Sequence, residues 1–379
     1  MAIDVHVLGT ASARPTGRRA VSGSLVKTPN GIAVIDAGEG FQTRFARQRH
    51  HLKHHAEGVT LKPSAVNVLA FTHGHLDHTW GALPWLQSMD LQGRQTPLLV
   101  IGPTSCEALD ALEAGEPLPD AVPPVDLARQ WAAWWTLAGQ GFGFEIRWVL
   151  GDPATNRWVE LNPSSGEVRL LEAMPQPAGW TSCAIHALPT DHSVPSCGWL
   201  IDQAPKPGAF DRARADELGL NTKQRARLAR GEDIQGPEGQ LESSWFRGES
   251  GPPLSVLISG DTAPTPKAWK ANLAPTLLIH EATYLELQAD KAEEHLHSTA
   301  SGAVRTAHHI KAKHLALTHY SSRIASSSEP LGQAAALAGP LPVVALNDGD
   351  RLLVTDQGEV NHFRRTNEGW SSASMAPNR

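Results

Sequence analysis

The 379-residue chain is poor in cysteine: Cys106, Cys183 and Cys197 stand far apart and form no CxxC pair. That excludes a disulfide scaffold and a cysteine–zinc knuckle, and fits a reducing cytoplasm. No run of about 18 apolar residues occurs, so no membrane span is expected. The opening MAIDVHVLGT carries an acid and no long apolar stretch, unlike a secretory leader. Basic charge is not in excess either. Lys plus Arg number 33 against 39 Asp plus Glu, a net charge of −6, which excludes a globally basic nucleic-acid coat but not a local basic patch. No repeat at solenoid spacing is visible. What is present is a chain 41% hydrophobic, too apolar for disorder and long enough to bury a core without covalent staples. Its 18 histidines leave room for metal chemistry, though a lone one says little.

The pattern along the chain alternates strands with helices, which argues for an α/β layered fold. IDVHVLG, SGSLVKT and GIAVIDAG read as strands around a Gly/Pro/Arg-rich loop. FQTRFARQRHHLKHH has helical spacing, with Phe41, Phe45 and Leu52 on one stripe. Its doublets His50-His51 and His54-His55 read as a solvated helix end. His308, His309 and His314 read as the solvated face of a later helix, and His186 as a structural residue within a strand. Residues 103–182 form a Trp-rich insert holding Trp131, Trp134, Trp135, Trp148, Trp158 and Trp180; core packing is expected over an aromatic platform for bases. Residues 203–250 form a polar, partly basic, arm-like insert in what is otherwise a single domain over 1–379.

The strongest chemical signal is FTHGHLDHTWG, which places His73, His75, Asp77 and His78 directly after a strand. In a turn beyond a strand such side chains can converge, and imidazole with carboxylate suits zinc, then manganese or iron. Three more residues end apolar runs in the same way: His192 after ALPTD, Asp261 after LISG and His319 after LALT. An open sheet presents its ligands there. Together these are seven donors, enough for two metal ions.

HxHxDH, a distant His, GD and a final TH resemble the metallo-β-lactamase superfamily. Within it the chain resembles ribonuclease Z, the tRNA 3′-end-processing endonuclease family. The resemblance rests on VLGTASARPTGRRAVSGS, IDAGEGFQTRF, FTHGHLDHTWGALP, LPTDHSVPSCGWLI, ISGDTAPT, LLIHEATY, HLHSTA and ALTHYSSRI, with the HEAT (280–283) and HST (297–299) elements the most discriminating. It implies an αββα four-layer sandwich with a dinuclear zinc site, Mn2+ or Fe2+ being possible substitutes. It assigns His73, His75 and His192 to one zinc, Asp77, His78 and His319 to the other, and Asp261 to both. Two metals ~3.5–4 Å apart would activate a hydroxide and clamp a phosphodiester. Asp77 would orient that nucleophile as a base, His297 would protonate the leaving oxygen, and Glu281 would hydrogen-bond the His297 ring. Arg323 would contact a phosphate or the RNA 3′ end. Arg18 and Arg19 read as surface charge that could shape the mouth, and Ser22 is undecided.

The expected function is removal of the 3′ trailer from a tRNA precursor by a cytoplasmic homodimer. The alternatives are a small-molecule phosphodiesterase or arylsulfatase on the same fold and, remotely, a non-catalytic metal-binding scaffold. Against the family pattern, the GP-rich arm tip is missing, although Pro205–Arg230 holds seven basic and three acidic residues. That excess is a candidate phosphate-contacting patch. The interval from His78 to His192 is long. Leu76 and Trp85 replace smaller residues and could narrow the site.

Overall fold

The computed structural model describes residues 3–56, 58–139, 141–236 and 239–373. The outermost residues of the expected 1–379 domain lie outside them, as do Pro237 and Glu238 of the polar stretch. Short apolar runs rich in Val, Ile and Leu make the strands, and two sheets form the centre. Among the described residues the first has eleven strands. Their spatial order is Gly369–Ala373, Val360–Thr366, Arg351–Val354, Ile3–Gly9, Gly23–Thr28, Gly31–Ala37, Val66–Ala70, Leu98–Pro103, Ile146–Asp152, Arg157–Leu161 and Val168–Leu171. The second runs Val343–Ala345, Leu315–Thr318, Leu277–Glu281, Leu254–Ile258, Cys197–Gln203 and Cys183–Pro189. Pairing is parallel from Gly31–Ala37 to Ile146–Asp152 and from Leu254–Ile258 to Val343–Ala345.

Side-chain alternation decides the layers. Leu98 and Val100 pack with Phe45, Leu109 and Trp131 of the outer helices, whereas Leu99 and Ile101 join Ile201, Val256 and Ile279 between the sheets. In the second sheet Leu257 and Leu278 meet helical Ala303 and Val304, and Val256 and Ile279 point to the opposite sheet. A strand covered on both faces reads as an unbroken apolar run, because both side-chain sets are buried. Helices Phe41–His55, Ala82–Leu91, Cys106–Ala114 and Leu127–Ala138 cover the first sheet; Ala300–His309 and Ser328–Ala338 cover the second. The αββα sandwich is therefore the fold of this chain.

The tryptophans of residues 103–182 pack inside, except for the half-buried Trp135. Trp131, Trp148 and Trp158 are fully buried, and the Trp131 and Trp135 rings meet Trp148 at 5.3 and 5.7 Å. The strands Ile146–Asp152, Arg157–Leu161 and Val168–Leu171 extend the first sheet rather than standing apart from it. Residues 203–250 carry helices Arg212–Glu217 and Thr222–Ala229 around a small core of Ala215, Leu220, Leu228, Ile234 and Phe246. Much of the basic excess there is compensated: Arg225 pairs with Asp216, Arg227 and Arg230 share Glu232, and Lys206 reaches Asp356.

Two histidine readings need correction. His51 is not part of a solvated helix end. It is buried, bonded through Nε2 to the Gly369 carbonyl at 3.1 Å and packed on Trp370 at 4.4 Å, because the last strand hairpin covers that helix face. His314 lies beyond the helix that ends at His309; its Nδ1 bonds the Thr276 carbonyl at 2.9 Å and so tethers the next strand.

One ion pair inside the first sheet makes stability depend on acid. Arg351 donates to both Asp4 oxygens at 2.6 and 2.8 Å, and His6 Nε2 lies 3.4 Å away. Burial alone would raise the Asp4 pKa, but His6 and Arg351 outweigh it and hold the carboxyl at about 2, below its ordinary 3.8. A depressed folded pKa gives stability that is full above the unfolded value and is lost as pH falls through the folded one. The shift corresponds to about 2 kcal/mol. Between about pH 5 and pH 2, denaturant unfolding should show wild type losing more stability than Asp4→Asn, by roughly that amount. Equal losses would remove Asp4 as the cause.

Candidate metal centre

Each candidate residue follows the end of a strand. His73, His75, Asp77 and His78 come after Val66–Ala70, His192 after Cys183–Pro189, Asp261 after Leu254–Ile258 and His319 directly after Leu315–Thr318. The two sheets point these ends at one edge of the sandwich. His73 Nε2 and His192 Nε2 lie 3.0 and 3.3 Å from His75 Nδ1, and His73 Nε2 is 3.7 Å from Asp261 Oδ2. In the adjoining cluster His78 Nε2 and His319 Nε2 are 3.2 Å apart, with Asp77 Oδ2 at 3.6 and 3.5 Å from them. The other Asp261 oxygen, Oδ1, completes it at 3.5 Å from His78 and 3.3 Å from His319. One carboxylate thus reaches both clusters.

The residues fit divalent cations. Four zinc donors about 2.0–2.1 Å from the ion stand about 3.3 Å from one another, which these separations match. The ring nitrogens away from the cluster are engaged. His78 Nδ1 bonds Asp36 at 2.7 Å, His319 Nδ1 bonds Thr283 Oγ1 at 3.0 Å, and His192 Nδ1 bonds the Leu296 carbonyl at 3.2 Å. His73 Nδ1 bonds Thr72 Oγ1, whose hydroxyl donates to Asp36 at 2.9 Å. In the neutral form of each of these four rings, the form a metal requires, Nε2 is the lone-pair atom facing inward. Asp261 Oδ1 is buried without a hydrogen-bond donor among the described residues. A buried carboxylate oxygen of this kind is satisfied by a cation.

Electrostatics prepare the donors for that role. Burial drives the pKa of His73 well down and that of His75 to about 4, so both rings are neutral near pH 7. Burial would neutralise Asp261, but the His319, His78 and His297 imidazoles around it reverse that and hold the carboxyl well below its ordinary value. Burial likewise opposes charge on His78, yet Asp261, Asp36 and Asp77 raise its pKa, and the proton so held is one that a bound cation would displace. Asp77 is also held low: burial opposes ionisation, and His78 and His319 prevail.

Residues 16–91 match the metallo-beta-lactamase superfamily. The ribonuclease Z of Myxococcus xanthus is 30% identical over 318 residues, 83% of this chain and 86% of that protein. The ribonuclease Z of Natronomonas pharaonis is 30% identical over 356 residues, 93% of this chain and 98% of that protein. The chain belongs to the ribonuclease Z family. Membership makes it a metal-dependent hydrolase. The metallo-beta-lactamase fold protein YhfI from Bacillus subtilis, 14% identical, superposes with a TM-score of 0.56 over 93% of this chain and 99% of that one, a likeness of fold.

In this ribonuclease Z relative, His297 and Glu281 stand beside the metal cluster. His297 Nδ1 bonds Glu281 Oε1 at 2.8 Å and lies 3.9 Å from Asp261 Oδ2. Burial disfavours a charged His297 ring, yet Glu281 and Asp261 outweigh it and raise the pKa to about 9. Glu281 ends its strand fully buried and also accepts from the Thr262 and Thr283 backbone N–H groups at 2.9 and 3.3 Å. A cavity of about 590 Å³ opens over the centre, lined by Arg14, His75, His192, Tyr284, His297 and Ser322 among others. Arg323 is exposed just beyond Ser322. Arg19 is no surface charge: it is buried, donating to the Ile324 carbonyl at 2.7 Å and stacked on the Tyr320 ring at 4.9 Å. Arg18 is exposed, and the half-buried Ser22 accepts the Gly38 N–H through its backbone carbonyl.

Several supporting residues escaped the sequence reading. Asp36 is the polar residue next to last in the strand Gly31–Ala37, closing the apolar run IAVI, so the rule that found Asp261 would also have found it. Its φ of +59°, like that of His319, is a left-handed conformation that a non-glycine residue keeps only when its surroundings enforce it. Gln130, on the Trp-rich helix, donates to the Gly74 carbonyl and accepts from Thr79 Oγ1 at 2.8 Å. That clasps the His73–His78 loop from outside. Gly74 itself is required, since an added Cβ would sit 1.8 Å from the Val125 carbonyl oxygen. Arg14, lining the cavity, has no signal separating it from Arg18 and Arg19 in the sequence. Replacing Asp36 by alanine frees the His78 ring and should weaken metal affinity about 10- to 100-fold with the fold intact. Competition with a chromophoric chelator measures it; unchanged affinity would leave Asp36 a merely structural residue.

Proposed function

We propose that this chain cuts the 3′ trailer from tRNA precursors at a dinuclear zinc centre. His73, His75 and His192 would hold one ion, Asp77, His78 and His319 the other, and Asp261 both. The observation that carries this reading is the single Asp261 carboxylate directed at two histidine clusters. Such a pair of ions, when bound, lowers the pKa of water and offsets charge on the attacking and leaving oxygens of a phosphodiester.

The chain's own residues supply the rest. Asp77, fixed by the Ala13 N–H at 2.7 Å, orients the attacking water and takes its proton. His297 has Nδ1–H committed to Glu281, so Nε2 gives the proton to the leaving oxygen. Glu281 favours the charged, acid-competent ring. Arg14 and Arg323 place positive charge beside the cavity for the flanking phosphates. A cytoplasmic location and a homodimer belong to the same reading, by family resemblance.

The test is a precursor tRNA bearing a 3′ trailer, incubated with enzyme and zinc or manganese. A cut at or near the discriminator base, abolished by a chelator, is expected. Absence of that cut alongside turnover of a chromogenic diester or an aryl sulfate would move the chain to a small-molecule hydrolase.

A further inference from the structure

A second cavity, of about 630 Å³, lies against the same two histidines, His192 and His297. Lys267 and Arg305 line it. Lys267 sits in the loop that follows Asp261, and Arg305 on the helix Ala300–His309 that follows His297. Both side chains are exposed, and among the described residues neither has an ion-pair partner within 4 Å. Two carboxylates, Asp191 and Glu293, share the cavity without pairing to them. Asp191 Oδ2 instead accepts the Lys267 backbone N–H at 3.2 Å, which fixes the loop and leaves the ammonium free. Two cations without an ion-pair partner thus line the cavity beside His297, the proposed proton donor to the leaving oxygen, in a chain whose net charge is −6.

We propose that this cavity is a phosphate subsite, in which Lys267 and Arg305 grip the backbone phosphates of single-stranded RNA next to the scissile bond. The inference rests on the endonuclease reading of the adjoining centre. A strand cut at one phosphodiester carries like charges on its neighbouring phosphates, which free ammonium and guanidinium groups meet by charge-assisted hydrogen bonds. Both are positioning residues. They act by holding the strand, and binding energy gathered away from the reacting atoms orients the bond to be cut.

The experiment compares metal-loaded wild type with Lys267→Ala/Arg305→Ala on a trailer-bearing precursor tRNA and on bis(p-nitrophenyl) phosphate, which has no flanking phosphate. Binding of a labelled single-stranded oligoribonucleotide is followed in parallel by fluorescence anisotropy. KM for the precursor and Kd for the oligonucleotide should each rise about tenfold or more. That loss should exceed any loss on the small diester by a similar factor. The salt dependence of oligonucleotide binding should flatten by about 0.7 in log–log slope per lost phosphate contact. Exchange of the two cations, Lys267→Arg/Arg305→Lys, should restore most of the affinity. Unchanged Kd and KM would overturn the subsite, as would equal losses on RNA and diester. A wild-type enzyme that leaves the precursor uncut overturns the tRNA reading instead, while the anisotropy arm still decides the subsite.

Discussion

Asp261→Ala is expected to strip both cations from the chain and to lower turnover by about a thousandfold or more. The side chain is the one whose two oxygens face different clusters, 3.7 Å from His73 on one side and 3.3 and 3.5 Å from His319 and His78 on the other. On the dinuclear reading, removing it would take a donor from each ion at once, together with the negative charge that would offset two dications in a buried site. The remaining sets are three imidazoles on one side and two imidazoles with Asp77 on the other. Elemental analysis should fall from two ions per chain towards none, with an unchanged circular dichroism spectrum showing that the sandwich persists. Asp261→Asn keeps the shape and removes the charge, so it should fall between wild type and alanine. Two retained ions with turnover within tenfold of wild type would end the bridging role.

His297→Ala is expected to separate chemistry from metal binding. The ring stands 3.9 Å from Asp261 and its Nδ1 belongs to Glu281, so its loss leaves the proposed donor set complete. Loss of a general acid lowers kcat about 10²- to 10⁴-fold, and the loss falls on poor leaving groups. A ribose oxygen leaves badly without a proton, whereas nitrophenolate needs none. Cleavage of the precursor should therefore collapse while bis(p-nitrophenyl) phosphate hydrolysis changes by less than about tenfold. Both ions should remain. Equal losses on the two substrates, or loss of metal, would make His297 a structural or ligating residue rather than an acid. Glu281→Gln should give a weaker version of the same split, since Glu281 holds the ring and does not itself reach the leaving oxygen.

The layered fold was legible because its strands are buried on both faces and read as unbroken apolar runs, as in VNVLA, LSVLI and LLIHE. Residues 103–182 were less legible. Their aromatic content pointed to core packing, but no local pattern shows that Ile146–Asp152 pairs with Leu98–Pro103, a choice made by which hydrophobic faces find each other. The same is true of His51, whose burial depends on a hairpin more than 300 residues away.

The spacing His73–His78 was sufficient alone to announce a metal site, since four donors in six residues just past a strand have few other uses. Polar residues ending apolar runs marked His192, Asp261 and His319 as candidates. Only the tertiary structure decided that those ends meet, that Asp36, Thr72 and Thr283 orient the His78, His73 and His319 rings towards the cluster, and that Lys267 and Arg305 stand without an ion-pair partner in the cavity that His297 lines. The reason is physical. Strand formation and side-chain alternation are dictated over a few residues, whereas a lone pair's direction and a charge's partner depend on groups brought together by packing from distant parts of the chain.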